Sequence, residues 1–456
     1  MDQLELINLT VLEASNLIHE GTISPLELVE ATLARIQTLN RKLNAYITLL
    51  PDRALQQARY ATDAIQRGED WGPLHGIPIA VKDLVDVAGE PTTAASDFLR
   101  ANKVTEDADV TQRLNAKGAI IIGKTNLHEF ALGVTNINPH FGAVHNPWNT
   151  DVIPGGSSGG SGAAVAALMC AAALGTDTGG SVRIPSALCG ITGIRPSKGR
   201  ISSGGVFPLS ATLDTVGPMA RTAADVALLV DILDHQPLSP AGCMTHLDDP
   251  ITNLRVGVPT DPYFWRESDL QVVGAVRAAL DRLTDLGATL VDIALPQVET
   301  ALKASQVIAL TEAAAVHKDR LATEPHRFGK DVLARLDAAK QFSGVDYAQA
   351  RQTGREWRQT IRDLFRDHID LIALPTTPVP AMKIEGLDSV AAGRQMLKFN
   401  YPFSLSAYAA LSLPVGFTQD GLPIGMQLVA PREATTLQVA HAYQKITDWH
   451  TRRPEL

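Results

Sequence analysis

Apolar positions return at helical spacing in the first 66 residues, where Leu26, Val29, Leu33 and Ile36 fall on one face of a helix. Ser24-Pro-Leu-Glu27 marks its start and Thr10-Val-Leu-Glu13 marks an earlier one. Both read as capping boxes, the later with proline at the first helical position. A third helix is predicted from about Asp52 to Gln66. The pattern then changes: Ile77-Pro-Ile-Ala-Val is a short apolar run, read as a strand, that ends on Lys82-Asp83. A helix over Asp107 to Lys117 and a strand over Ala119 to Ile122 follow. Asn126-Leu-His-Glu129 reads as a further capping box opening a short helix.

Farther on, Thr222 is placed to cap a helix from Ala223 to about Leu233, and His235 to Asp249 is rich in Pro and Asp and reads as a loop. Leu254 to Val258, a helix from about Leu270 to Leu286, and Thr289 to Ile293 form one strand–helix–strand unit. Two or three helices rich in Ala and Arg extend to about Arg366. Asp370 to Leu374 reads as a buried strand. Asp420-Gly421, between the apolar runs Leu411 to Phe417 and Ile424 to Val429, is the strongest hairpin signal in the chain. A helix from about Glu433 to Thr447 follows.

Composition narrows the class. The 456 residues are 45% hydrophobic and 20% charged, as in ordinary globular proteins, with a net charge of −9 that argues against a general nucleic-acid or anionic-membrane surface. Three cysteines, Cys170, Cys189 and Cys243, lack metal-site spacing and suit a reducing compartment. The N-terminus has no basic and apolar signal-peptide pattern, and the longest apolar run, Ala163 to Gly175, is too short to span a bilayer. These features predict a cytoplasmic protein without metal or cofactor, and no internal repeat is visible.

The pattern breaks at two Gly/Ser clusters, Gly155-Gly-Ser157-Ser158-Gly-Gly-Ser161-Gly162 and Gly175-Thr-Asp177-Thr178-Gly179-Gly180-Ser181-Val-Arg183, around an apolar run long enough for a short helix. Bare backbone N–H groups at such density make anion and oxyanion sites. A phosphate loop requires a Lys after its last glycine, which is missing here. Gly155 to Gly159 satisfies the G-x-S-x-G of a nucleophile elbow, but the loop-like Asn146 to Pro154 stands where that motif needs a strand. A plain linker conflicts with the apolar sequence on both sides. On spacing alone, Lys82 reads equally as a functional lysine or as half of a surface pair with Asp83.

These clusters, with Gly76-Ile-Pro-Ile-Ala-Val-Lys82-Asp83, resemble the signature of the amidase signature family of serine amide hydrolases. Gly123-Lys-Thr-Asn126, Asp214 to Arg221 and Gly421-Leu-Pro-Ile-Gly425 extend the resemblance over almost the whole chain. It implies an α/β fold, a mixed central sheet surrounded by helices, in one catalytic domain spanning 1–456. Within it, 1–66 would be a helical layer, 67–234 and 368–456 the core, and 235–367 an added lobe shaping access. It also implies a Ser–cis-Ser–Lys triad: Ser181 as nucleophile, Ser157 as the bridging serine behind a cis Gly156–Ser157 peptide, and Lys82 as the base. The N–H groups of Thr178, Gly179, Gly180 and Ser181 would form the oxyanion hole. Ser158 would support Lys82 or Ser157, and an Asp177–Arg183 ion pair would clamp the loop. Lys124, in a G-K-T-N turn where solvation is easier, is the rival base. No Asp is recognisably placed to orient His128, His140 or His145.

The resemblance covers the glutaminase subunit of tRNA-dependent amidotransferases, which works with partner subunits. Here Ile184 and Ser203-Gly204-Gly205 replace polar groups common in that subunit. The expectation is therefore a stand-alone amidase for small, apolar or aryl carboxamides, a small-molecule enzyme that could form a homodimer. The alternatives are a non-catalytic binding relative and an amidotransferase glutaminase subunit.

Overall fold

The computed structural model describes residues 1–235 and 242–456. Its backbone is one sheet of eleven strands: β1 Tyr46–Leu49, β2 Pro78–Lys82, β3 Ile120–Thr125, β4 Ala172–Asp177, β5 Thr192–Arg195, β6 Thr215–Ala220, β7 Arg255–Pro259, β8 Thr289–Ile293, β9 Leu371–Pro375, β10 Ala409–Phe417 and β11 Pro423–Ala430. Across the sheet they run β1-β3-β2-β4-β6-β5-β10-β11-β9-β7-β8. β2 is parallel to β3 and β4, and β7 to β8 and β9, while the remaining pairs are antiparallel. The fold is thus the mixed α/β sheet with helices on its faces. Residues 255–293 extend this same sheet through β7 and β8.

Both faces of the central strands are covered, so their sequences read as continuous apolar runs. Along β2, Ile79 and Val81 enter one core with Ile18, Val226 and Leu229. Ala80 enters another with Ala163, Ala164 and Val165 of the helix Gly159–Ala166. Strand alternation carries Lys82 to the same face as Ala80, toward that helix.

Both predicted N-terminal capping boxes form, with Thr10 and Ser24 accepting from the backbone of Glu13 and Glu27. The helices Pro51–Gln66, Ala223–Leu233, Leu270–Asp285 and Glu433–Lys445 stand close to their predicted bounds. The hairpin at Asp420-Gly421 joins β10 to β11. In the predicted loop from His235 to Asp249, residues 236–241 lie outside the described residues, and Met244–His246 forms one 3₁₀ turn.

The capping box at Asn126 does not open a helix. The Asn126 carboxamide oxygen accepts from Leu127 N–H, while Glu129 is taken up by Ser96 Oγ at 2.6 Å and Gly329 N at 2.7 Å. Phe130, at φ 52, leaves only a 3₁₀ turn over Glu129–Ala131. Tertiary partners have claimed the carboxylate that a local cap would need. Nor does the apolar run between the two Gly/Ser clusters stay helical: its helix starts inside the first cluster at Gly159, ends at Ala166, and gives way to β4.

Candidate active site

Both Gly/Ser clusters end against Lys82. The first enters the helix Gly159–Ala166 and the second is the turn between β4 and the helix Arg183–Cys189. The Gly156–Ser157 peptide is cis. Lys82 Nζ lies 2.7 Å from Ser157 Oγ and 2.8 Å from Thr176 Oγ1. The two serine loops are tied together where Ser158 N–H donates to the Ser181 carbonyl at 3.1 Å. Ser158, expected to bond Lys82 or Ser157, instead holds the strand that carries Thr176. Its Oγ lies 3.2 Å from both the N–H and the C=O of that residue.

Lys82 is fully buried and, among the described residues, has no carboxylate against its nitrogen. Burial, the dominant influence, pushes its ammonium down to about 7, against the pull of the Asp177 and Asp214 carboxylates. With its ammonium brought down to about 7, a large share of this amine is unprotonated near neutral pH.

The turn that presents Ser181 is held by Asp177. Its carboxylate takes a two-point contact from Arg183, Nη2 at 2.9 Å and Nε at 3.0 Å, and further N–H bonds from Gly180 at 2.8 Å and Val182 at 3.2 Å. Arg183 reaches on to Ser404 Oγ at 2.7 Å and the Asn400 carbonyl at 3.2 Å. Burial alone would raise the Asp177 carboxyl, but the guanidiniums of Arg183 and Arg195 hold it well below the ordinary carboxylate range. Two glycines are required here: a Cβ on Gly179 would stand 2.3 Å from the Tyr401 ring. Gly180 has φ +131, and a Cβ there would meet Asn400 at 2.7 Å. Because Gly180 N–H already donates to Asp177, it is occupied in this geometry. The N–H groups of Thr178, Gly179 and Ser181 donate to no protein oxygen among the described residues.

Ser181, Gly179 and Thr178 open onto a cavity of about 410 Å³. Its walls are mostly apolar, with Leu132, Val134, Leu310 and Leu397, and its polar side chains include Gln306, Gln341, Arg335 and Arg394.

The rival lysine is not in a solvated turn. Lys124 is buried at the end of β3, with Nζ 2.8 Å from Asp83 Oδ1, 2.6 Å from the Pro91 carbonyl and 2.7 Å from Thr92 Oγ1. Asp83 is therefore the partner of Lys124 and not of Lys82. An ammonium held by three oxygens has no lone pair to offer, so Lys124 is a structural cation. Removing one member of a buried pair strands the other charge and typically costs about 3–5 kcal/mol. Lys124→Met is accordingly expected to lose that much stability in urea unfolding, whereas Lys82→Ala leaves no carboxylate stranded against it and is expected to lose far less.

The histidines are also occupied. His128 Nδ1 accepts from Asn136 N–H at 3.2 Å and Nε2 faces Asp331 at 2.9 Å, so an aspartate does orient this ring. His140 Nε2 lies 3.1 Å from Glu129 and His145 Nδ1 lies 2.6 Å from the Thr150 carbonyl. None of the three is hydrogen-bonded to Ser157 or Ser181 through its ring.

The sequence model of the Amidase family matches residues 27–436. The chain belongs to the amidase (amidase signature) family. Among its family relatives, the A subunit of glutamyl-tRNA(Gln) amidotransferase from Chloroflexus aurantiacus is 38% identical, with 99% of each chain covered. A solved amidase-fold structure, described as a vestigial protein complex that reveals the evolutionary origins of an s-triazine catabolic enzyme, superposes with a TM-score of 0.90. It has 32% identity and covers 98% of this chain and 100% of that one. The 6-aminohexanoate cyclic dimer hydrolase complexed with substrate gives a TM-score of 0.89, 31% identity, and coverage of 98% and 99%. No helix of this family member, among the described residues, is long and apolar enough to cross a membrane.

Proposed function

We propose that this chain cleaves a carboxamide C–N bond to a carboxylate and ammonia or an amine, through an acyl-enzyme on Ser181. The observation that carries the reading is the 2.7 Å contact between a buried, carboxylate-free Lys82 and Ser157 Oγ, in a loop bonded to that of Ser181. Neutral Lys82 takes the proton of Ser157 as Ser157 takes that of Ser181, and Ser181 Oγ attacks the carbonyl carbon. The carbonyl electron pair moves to oxygen, facing the N–H groups of Thr178, Gly179 and Ser181. As the pair returns, the C–N bond breaks and the leaving nitrogen receives the proton back along Lys82 and Ser157. Water then attacks the ester by the same relay, releasing the carboxylate and restoring Ser181. Asp177 and Arg183 act as the clamp that fixes the turn. Segment 235–367 shapes the entrance, since Gln306, Leu310 and Arg335 come from its helices Val298–Val316 and Lys330–Ala338.

The mostly apolar walls are compatible with a stand-alone amidase for small carboxamides. The second reading, a glutaminase subunit that works inside an amidotransferase, is favoured by the relatives named as A subunits of glutamyl-tRNA(Gln) amidotransferase, at 38–39% identity over nearly their full length. Their names support this setting better than the stand-alone one. Assaying the purified chain alone for ammonia and amine release separates the two. Turnover of simple amides without a partner supports the first reading. Turnover of glutamine alone, and only with added partner subunits, supports the second. Hydroxamate formation absent from every amide tested, with and without partners, contradicts both.

A further inference from the structure

The cavity beside Ser181 is lined by positive side chains, one of them paired with a carboxylate behind the wall. Arg335 and Arg394 line it, and among the described residues no Asp or Glu does, although the chain as a whole carries a net charge of −9. The two guanidiniums differ. Arg335 is partly satisfied, with Nη1 2.6 Å from Asp331 and Nη2 2.6 Å from the Ser389 carbonyl. Arg394, on the helix Ser389–Met396, is exposed and makes no hydrogen bond or ion pair among the described residues. It also lines an adjoining outer groove of about 640 Å³, whose charged walls are Arg266, Lys303, Lys398 and Arg394 against Glu267 and Glu299. Lys398 is itself paired with Glu267 at 2.5 Å. Arg394 therefore stands where a basic groove meets the Ser181 cavity, its planar fork of donors free.

From this we infer that the amide cleaved here carries a carboxylate distal to its scissile bond, that it lacks an ammonium group, and that Arg394 is the residue selecting it. This rests on the amide-hydrolysis reading above and specifies its substrate class. A guanidinium binds a carboxylate through two parallel N–H···O bonds, which a neutral chain end cannot return. A zwitterion such as glutamine also satisfies the arginine. Its ammonium, however, meets the free guanidinium of Arg394 and, among the described lining residues, no carboxylate to receive it, so it is repelled and loses water without replacement. The apolar walls fit a short methylene spacer between the two ends.

Glutaramate, L-glutamine and pentanamide test this, because they share a five-carbon acyl chain and differ in distal charge. Wild-type kcat/KM should be highest for glutaramate, by on the order of tenfold or more over the other two, as expected for hydrogen bonds to a charged group. Arg394→Gln should cut the glutaramate-to-pentanamide ratio about 10- to 100-fold, mainly through KM, and Arg394→Lys should restore part of it. Calorimetric binding of the same amides to Ser181→Ala gives a readout independent of turnover and should show the same order and the same sensitivity to Arg394→Gln. Equal handling of glutaramate and pentanamide, preference for glutamine, binding of none of them, or a ratio unmoved by Arg394→Gln overturns the inference. Selective binding of glutaramate with no turnover by wild type contradicts the hydrolysis reading and leaves this recognition standing. Turnover without carboxylate preference does the reverse.

Discussion

Ser181→Ala is expected to leave no measurable amide turnover, a loss on the order of 10⁵–10⁶ in kcat by analogy with nucleophile deletions in other serine hydrolases. The expectation follows from geometry. Ser181 stands on the clamped turn at the wall of the cavity, beside N–H groups that have no protein acceptor among the described residues, whereas the Thr178 hydroxyl on the same turn is taken by Asp214. Alanine removes one oxygen from a turn whose hydrogen bonds run through Asp177, so the fold is expected to persist. Hydroxylamine trapping supplies a second readout: wild type should convert its amide substrate to the hydroxamate, and the variant should not. Normal turnover in Ser181→Ala would move the nucleophile to Ser157, the serine of the G-x-S-x-G reading. It would also remove the case for a relay.

Lys82→Ala and Ser157→Ala are expected to fall by comparable factors, several orders of magnitude each, because either change interrupts the same proton path. General-base catalysis by itself is worth about 10²–10⁴. The further loss expected here comes from non-additivity among groups that act as a unit. For the wild type, kcat/KM should rise with pH through an apparent pKa of about 7, since the reactive form is the neutral amine and burial has brought Lys82 to that value. Above that pKa the rate should level off. Should Ser157→Ala retain nearly full activity, Lys82 must act on Ser181 directly. Should Lys82→Ala retain it, the lysine mechanism fails, and the histidine bound to Asp331 becomes the base to examine.

What could be seen in the sequence was whatever is local. Capping boxes at Thr10 and Ser24, the short apolar run of β2 and the Asp-Gly hairpin all depend on residues within a few positions of one another. The three motifs carrying Lys82, Ser157 and Ser181 were legible for a different reason, their order and spacing, which point to a family. β6 was missed because Gly217 and Pro218 sit in its interior, breaking the pattern that marks a strand; Pro218 faces Leu174 of β4 in the ladder. His128 and Asp331 are 203 positions apart, so no spacing rule pairs them. Lys124 looked solvated because its partner Asp83 lies forty-one positions earlier on a neighbouring strand end. The occupation of Gly180 N–H by Asp177 is a matter of turn geometry that composition does not carry. Arg394 had no signal in the sequence, because what sets it apart is that it lines both the Ser181 cavity and the outer groove.

The account depends most on Lys82 being able to lose its proton near neutral pH while it faces Ser157. Titrating the lysine ε-methylene resonances by NMR in selectively labelled protein, with Lys82 assigned by its loss in Lys82→Ala, reads this directly. The account predicts one lysine titrating at about 7, far below the ordinary value of 10.5, and tracking the rising limb of kcat/KM. A Lys82 resonance that remains protonated up to ordinary lysine pH would contradict it, whatever the activity of the variants.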